Sequence, residues 1–288
     1  MNASANRFSD LEAMSLRVRE HVIRMSGGGG CFIGASLSCV DLMVYLYKRA
    51  LNVGPANFSD PNRDYCFLSK GHDVPALYGT FAEMGWIERE RLAKHLDPKD
   101  SLYWHPNRAI PGVEFHSGSL GHLLPVALGV AYDLKMTGSK AKVVVITGDG
   151  ELNEGSNWEA MLVAHAHGLD NVFVVVDRNQ FQANMRTEDL LPLEPLPAKF
   201  EAFGGSVVRV DGHDFAALEK GFEELSGRTT KGPKVLIADT TRGKGLPSIE
   251  ARADRWFCKF SDDEIKLLMN ELHGGAAAGI VKEGLTVR

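Results

Sequence analysis

The fold is decided by residues 143–184, which read VVVITGDGELNEGSNWEAMLVAHAHGLDNVFVVVDRNQFQAN. This stretch begins with the apolar run 143–147, turns at Gly148-Asp149-Gly150, and returns through a second apolar run at 172–176. A strand, a helix and a strand of these lengths predict a right-handed βαβ unit with parallel strands. Ligands of such sheets bind at the carboxyl ends of the strands, so we expect the polar residues that follow each run to lie together.

The residues after the two runs favour a cation that bridges to a phosphate. Mg²⁺ prefers oxygen ligands and usually takes one or two from the protein, with phosphate and water completing its shell. Asp149 offers a carboxylate, Asn179 an amide oxygen and Phe181 a backbone carbonyl. Gly148 and Gly150 let the backbone approach an anion, and the following helix directs its amino end to the same place. The competing interpretation is a tight turn beside an asparagine-containing loop, since short motifs occur in many sheets of this kind.

The rest of the chain alternates between helical and strand patterns. Ser156-Asn157-Trp158-Glu159 matches a capping box and predicts that the central helix begins at Ser156. Apolar spacing predicts further strands at 64–68, 206–210 and 234–240, and helices at 8–25, 38–51, 75–85, 89–96, 123–136, 215–225 and 261–273. This order predicts an α/β fold with a doubly wound, mostly parallel sheet and helices on both faces. We expect a single domain over residues 1–272, followed by a mobile tail or tether at 273–288.

Length and composition are those of an ordinary globular protein. The 288 residues suffice for one large α/β domain or two small ones, and the mild net charge of -5 indicates no nucleic-acid partner. No apolar run reaches membrane-spanning length, and the first residues do not have the architecture of a signal peptide. The four cysteines form no Cys-x-x-Cys pair and are expected to be reduced, which predicts a cytoplasmic protein.

The central stretch resembles a known cofactor motif. Gly-Asp-Gly followed about thirty residues later by Asn, across an apolar strand, resembles the thiamine-diphosphate motif. The longer run GDGELNEGSNWEA, continued by LDNVFVVVDRNQ, is similar to the transketolase branch of that superfamily, and the resemblance covers about residues 11–260. It implies thiamine diphosphate and Mg²⁺ as cofactors, with the three oxygen donors named above as metal ligands. The cofactor contacts that it implies in this stretch are Gly150, Glu151 and Asn179.

A second match lies at the end of the predicted strand 64–68. Ser69-Lys70-Gly71-His72 is similar to the family's Ser-x-Gly-His, which implies that His72 binds the diphosphate of the cofactor. Asp73 stands where the family usually has a small residue. A second negative charge near a diphosphate is unfavourable unless Asp73 points away from it.

The segment 104–122 contains WHPN, PGVE and GSLGH, and it has too many glycines and prolines to form a helix or a strand. Loops of this length are usually functional. The segment resembles the transketolase pattern GHPE…PGVE…TGPLGQG. The resemblance implies that His105 faces the substrate and that Gly118 and Leu120 pack against the rings of the cofactor.

Two more segments match the family. Thr241-Arg242-Gly243-Lys244-Gly245 resembles its T-x-K-G-K-G turn, which implies that Lys244 brings positive charge to the diphosphate, and a solvated loop lysine is the alternative. Glu154 and Glu159 match a glutamate pair that lies at the dimer interface of transketolases and connects two active sites. This match implies a catalytic role for Glu154, while a capping and solvent role is the alternative for Glu159.

Two positions depart from the family where its histidines bind sugar hydroxyl groups or assist proton transfer. Phe32 stands in Cys31-Phe32-Ile33-Gly34 where the family has Gly-His-x-Gly, and Phe257 stands in Trp256-Phe257-Cys258 where it has Trp-His-Gly. A phenylalanine can do neither, and it makes the pocket drier. The substitutions predict a specialised ketol or acyl transfer to a less polar acceptor.

The resemblance covers only the diphosphate-binding domain of a transketolase, and no residue matches the glutamate of the pyrimidine-binding domain. It therefore implies one subunit of a split transketolase that transfers a two-carbon ketol unit from a ketose donor to an acceptor. A C-terminal, pyrimidine-binding chain would complete an α₂β₂-like assembly, and the lone chain would bind cofactor weakly without turnover. One alternative is a 2-oxoacid decarboxylase or dehydrogenase component, against which WHPN and GSLGH argue. The other is a non-catalytic scaffold that keeps the cofactor site.

Overall fold

The computed structural model describes residues 7–280 and contains a five-stranded parallel sheet with a small separate hairpin. The strands span Tyr65–Leu68 (β1), Val143–Gly148 (β2), Val172–Arg178 (β3), Phe181–Gln182 (β4), Met185–Arg186 (β5), Ser206–Asp211 (β6) and Lys234–Asp239 (β7). The sheet has the order β1-β2-β3-β7-β6 with every pairing parallel, while β4 and β5 form the antiparallel hairpin.

Helices connect these strands and cover the sheet. They span Ser9–Gly28 (α1), Ile33–Ser38 (α2), Val40–Tyr45 (α3), Val74–Glu83 (α4), Leu123–Met136 (α5), Gly155–Ala166 (α6), Thr187–Leu190 (α7), Leu196–Ala202 (α8), Phe215–Gly227 (α9) and Asp262–Leu272 (α10). Single 3₁₀ turns occupy Gly71–Asp73, Arg89–Lys94 and Gly150–Asn153, and a π-turn occupies Leu46–Ala50. The first and third 3₁₀ turns follow β1 and β2 directly, at the edge of the sheet where a ligand is expected.

Alternate residues of the buried strands belong to two separate cores. Val144 and Ile146 of β2 pack with α1, α3, α4 and α9 on one face of the sheet. Their neighbours Val143 and Val145 pack with α5, α6 and α8 on the other face. A parallel sheet buried on both faces is the doubly wound arrangement, so the predicted α/β fold is confirmed.

The single helix predicted at 38–51 is wrong. Helix α2 begins earlier, at Ile33, and a break at Cys39 separates it from α3, which continues into the π-turn. The Cys39 thiol donates to the Ser36 carbonyl at 3.5 Å, and the Ser38 hydroxyl oxygen lies 2.7 Å from the Ala35 carbonyl oxygen. Side chains that bond back to the preceding turn compete with regular helix geometry, which accounts for the break.

The capping box predicted at Ser156 is also wrong. Helix α6 begins at Gly155, and the Ser156 hydroxyl donates to the Gly121 carbonyl at 2.7 Å, because a tertiary partner is available. The capping box of this chain lies instead at Ser261 and Glu264, where it begins α10.

The predicted tail is described in part. Residues 274–280 follow α10 without a helix or strand, and Ala278 and Ile280 contact the first core. The remainder of that prediction, residues 281–288, lies outside the described residues. Within residues 7–280, every helix is too short or too polar to cross a membrane.

Candidate active site

A cavity of about 310 Å³ lies at the carboxyl ends of β1, β2 and β3, and we call it the strand-end cavity. Gly148 pairs with Asp177 at the end of the β2–β3 ladder, which places the loops after these strands side by side. The predicted site residues that line the cavity are His72, His105, Gly118, Leu120, Asp149, Gly150, Glu151, Asn179 and Phe181. The structure thus brings together side chains from four separate segments of the sequence.

Asp149 is 1 % exposed and its carboxylate has an open position. Oδ2 accepts from Arg178 Nη1 and from the Gln180 amide, both at 2.6 Å, and Oδ1 accepts from the Gly150 amide at 2.8 Å. A carboxylate has about four lone-pair sites, so one site on Oδ1 remains for a cation. Burial raises the pKa of Asp149 to about 6, although the Arg178 guanidinium acts in the opposite direction.

Asn179 is held by contacts with its own loop. Its amide nitrogen donates to Asp177 Oδ2 at 2.9 Å and to the Ser38 hydroxyl at 3.3 Å, and its Oδ1 accepts from the Phe181 amide at 3.0 Å. This pattern fixes the orientation of the amide and leaves one lone pair on Oδ1 for a cation.

The Glu151 carboxylate accepts hydrogen bonds from three segments of the cavity wall. Its Oε1 accepts from the Ser69 hydroxyl and from the Gly121 amide at 2.9 Å, while Oε2 accepts from the Gly148 amide at 3.2 Å. Burial raises the pKa of this carboxyl, and these three donors favour its charged form. Glu151 thereby ties the glycine-rich turn 118–121 to the ends of β1 and β2.

The two predicted histidines face the cavity from different loops. His72 lies in the 3₁₀ turn after β1, and His105 lies in the long loop that precedes α5. Burial lowers the pKa of both imidazoles, so both are neutral at physiological pH. Gly118 has a φ of 135°, and a Cβ added there would lie 2.7 Å from the His105 ring, so only glycine lets the loop pass this close.

Asp73, the acid at an unusual position, turns its carboxylate to Lys70. Its Oδ2 lies 2.5 Å from Lys70 Nζ, and the same ammonium also contacts Asp177. Asp73 is fully buried, and the residues that line the strand-end cavity include Lys70 but not Asp73. Its charge is offset only in part, because the same ammonium group also faces the Asp177 carboxylate.

Sequence reasoning missed Arg242, which lines the cavity and is 2 % exposed. Its Nη1 donates to the Ala183 carbonyl at 2.6 Å, while Nε and Nη2 have no hydrogen-bond partner within residues 7–280. Burial lowers the pKa of the guanidinium to about 10. Lys244, predicted from the same turn, lines a different cavity, and Gly243, which lies between the two cations, has a φ of 77°. The sequence feature that could have identified this residue is the arginine directly before Gly243 in the turn 241–245.

Four aromatic side chains contact one another beside the strand-end cavity, and we call Phe32, Trp104, Trp256 and Phe257 the aromatic wall. The Phe32 ring lies 5.1 Å from the Trp256 ring and 5.2 Å from the Phe257 ring between centroids. It also meets the His72 ring edge to face at 5.3 Å. Phe32, one of the two predicted departures from the family, lines the cavity together with Trp256, whereas Phe257, the other departure, packs against Phe32 and is not among the lining residues.

The two glutamates lie outside the strand-end cavity. Glu154 precedes α6 and packs on the glycine-rich turn, since a Cβ added at Gly121 would lie 2.6 Å from Glu154 Cβ. Glu159 lines an open, mainly apolar groove of about 560 Å³ between α5 and α6. The large apolar side chains exposed on these two helices are Val126, Tyr132, Met136, Leu162 and Val163.

The donor set fits a metal-bound diphosphate. Asp149 and Asn179 each keep an open oxygen lone pair, and Arg242, which lines the same cavity, has two buried nitrogens without a hydrogen-bond partner within residues 7–280. An unpaired buried guanidinium is costly unless an anion binds to it.

Comparison with known proteins identifies the family. The model of the family "Transketolase, thiamine diphosphate binding domain" matches residues 18–278. The chain belongs to this family. It is 38 % identical over 276 residues to one of the subunits of the apulose-4-phosphate transketolase of Actinobacillus succinogenes, covering 94 % of this chain and 99 % of that protein. It is 32 % identical over 277 residues to a 6-deoxy-6-sulfo-D-fructose transketolase subunit of a Clostridium species, covering 96 % of this chain and 98 % of that protein.

A solved transketolase from Campylobacter jejuni has the same fold. It superimposes with a TM-score of 0.82 at 25 % identity, over 98 % of this chain and 44 % of that one. The chain therefore spans less than half the length of this solved relative. The family resemblance predicted from the sequence is confirmed, and so is the predicted class of a transketolase-like transferase subunit.

Proposed function

We propose that this chain is the thiamine-diphosphate- and Mg²⁺-binding subunit of a split transketolase. The reaction is transfer of a two-carbon ketol unit from a ketose donor to an acceptor. The observation that carries the proposal is the strand-end cavity, in which two open oxygen ligands and an unpaired, buried Arg242 are brought together. Relatives whose names include transketolase subunits, matched over nearly their full length, support it.

The residues divide into three groups in this proposal. Asp149, Asn179 and the Phe181 carbonyl hold Mg²⁺, which prefers such oxygen ligands. His72, Gly150 and Arg242 bind the diphosphate, and Arg242 takes the part that the sequence assigned to Lys244. Gly118 and Leu120 pack on the cofactor, and Glu151 keeps their turn in place.

Bound thiamine diphosphate supplies the carbon nucleophile of the reaction. The chain contributes position, charge and a dry environment. His105 is kept neutral by burial, so its ring can accept a hydrogen bond or a proton from a substrate hydroxyl. Glu154 packs on the turn beside the cofactor site and connects that turn to α6.

The aromatic wall supports a specialised substrate. Phe32 and Phe257 offer no hydrogen bond at the positions where the family has histidines, so hydroxyl groups that face them lose partners. We therefore assign to this face the less polar part of a substrate. A histidine restored at either position is expected to shift preference toward ordinary ketose phosphates.

A second chain completes the site in this proposal. It is a C-terminal, pyrimidine-binding subunit, and the two chains form an α₂β₂ assembly. Relatives named as transketolase subunits, matched over 99 % and 98 % of their own length, support a separate second chain, and the exposed apolar face of α5 and α6 supports an oligomer. The free, buried Cys31, Cys39, Cys66 and Cys258 support a reducing compartment, and we assign the assembly to the cytoplasm.

Reconstitution tests the proposal. The purified chain, its pyrimidine-domain partner and the mixture are assayed with thiamine diphosphate, Mg²⁺ and a ketose phosphate donor, with pyruvate as the control substrate. We expect ketol transfer by the mixture only, with loss of activity when the metal is chelated. Full transfer by the single chain would contradict the division between two chains. Preference of the mixture for pyruvate would contradict the reaction class.

A further inference from the structure

Two carboxylates share one ammonium group at the floor of the strand-end cavity. Lys70 Nζ lies 2.5 Å from Asp73 Oδ2 and also contacts Asp177 Oδ2, and the side chains of all three residues are at most 2 % exposed. The Lys70 side chain runs beneath Gly148, where an added Cβ would lie 3.4 Å from Lys70 Cδ. One positive charge therefore faces two negative charges next to the proposed diphosphate site.

The Asp177 and Asp73 carboxylates differ in the number of hydrogen bonds that they accept. Asp177 accepts further hydrogen bonds from the Ser38 hydroxyl at 2.6 Å, from the Asn179 amide at 2.9 Å and from Thr240. Asp73 Oδ1, by contrast, has no hydrogen-bond partner within the described part of the chain. Asp177 is thus part of the scaffold that holds a proposed metal ligand, whereas Asp73 is a buried charge with few partners of its own.

Asp73 contacts two groups that could bind an anion. Its Oδ2 contacts the Lys70 ammonium, and its Oδ1 lies 3.5 Å from Nε2 of His72. Both Lys70 and His72 line the cavity, so each could otherwise direct a donor to a diphosphate. The Asp73 carboxylate competes with the diphosphate for the Lys70 ammonium and adds a like charge behind both donors.

We propose that Asp73 is a positioning residue that weakens diphosphate binding by holding Lys70 away from the anion. The inference rests on the proposed function and concerns the regulation of the same site. A chain with a reduced affinity of its own keeps the cofactor only when the partner chain contributes further contacts. Asp73 thereby makes retention of the cofactor depend on assembly.

Substitution of Asp73 tests this. Inorganic pyrophosphate with Mg²⁺ is titrated calorimetrically into the full-length wild-type chain and the variants Asp73→Ala and Asp73→Asn. We expect about tenfold tighter binding for Asp73→Ala and a smaller gain for Asp73→Asn, since removal of a nearby like charge favours the anion. We also expect both variants to unfold at a lower temperature, because a buried ion pair is lost. A residue with a merely structural role would lower stability and affinity together.

Asp170→Asn is the matched control. Asp170 pairs with Lys135 at 2.9 Å, next to the amino end of β3, so the change removes the same charge from the opposite edge of the sheet. We expect its pyrophosphate affinity to equal that of the wild type. Equal or weaker binding by both folded Asp73 variants would overturn this inference alone. Absence of Mg²⁺-dependent pyrophosphate binding in the wild-type chain and in both Asp73 variants would overturn the proposed function instead.

Discussion

Two of the charged cavities in the described part of the chain differ in how their charges are satisfied. The larger one, about 590 Å³, lies beside α1 and includes Lys244, and we call it the outer cavity. There Arg19 donates to both oxygens of Asp41 at 2.9 and 2.7 Å, and His213 Nδ1 lies 2.8 Å from the same carboxylate. Burial alone would raise the pKa of Asp41, but Arg19 and His213 hold it well below its ordinary value.

The strand-end cavity is smaller and its charges are not balanced. Burial raises the pKa of Asp149 to about 6 in spite of Arg178, and it lowers the pKa of Arg242 to about 10. Among the buried polar side-chain atoms of the described residues that line the outer cavity, only the Ser15 hydroxyl lacks a partner, which costs less than a buried guanidinium with two unpartnered nitrogens. In this molecule the volume of a cavity does not indicate the functional site. A buried charged side chain with unpartnered hydrogen-bond donors does indicate it.

The largest effect is expected when the two cations of the turn 241–245, Arg242 and Lys244, are compared. Arg242→Ala removes a buried donor from the strand-end cavity, so we expect Mg²⁺-dependent pyrophosphate binding to weaken about 10- to 100-fold, as for other hydrogen bonds to charged groups. Lys244→Ala alters the outer cavity and is the matched control, with affinity within about twofold of wild type. Calorimetric titration measures both. A loss confined to Lys244→Ala would reverse the roles assigned to the two cavities.

A smaller effect is expected at the aromatic wall. In the reconstituted pair, Phe32→His and Phe257→His each restore a hydrogen-bonding group, and we expect a several-fold rise in kcat/KM for an ordinary ketose phosphate relative to less polar substrates. Phe8→His, in the outer cavity, is the control and should leave this ratio unchanged. Unchanged donor use in both wall variants would show that these positions do not set specificity.

The sequence was sufficient to predict the structure where a local pattern and the sheet topology agree. The apolar runs of β2 and β3 dictate parallel strands, and the ladder then places Asp149 and Asn179 at one edge. Prediction failed where a tertiary contact or a single backbone angle decides the outcome. Ser156 bonds to Gly121 instead of capping its helix, and Gly243, which has a positive φ, lies between the cation that lines the strand-end cavity and the one that lines the outer cavity. Neither effect leaves a periodic signal in the sequence.

The central claim is that one cation, held by Asp149 and Asn179, secures a diphosphate at the strand ends. Anomalous diffraction from crystals grown with Mn²⁺, as a substitute for Mg²⁺, and pyrophosphate tests it directly. The expected result is a single strong peak bonded to Asp149 and Asn179, which disappears in Asp149→Ala. A peak among Cys39, Asp73 and Asp177, whose ligand atoms lie within 4.8 Å of one another, or no peak at all, would contradict the account.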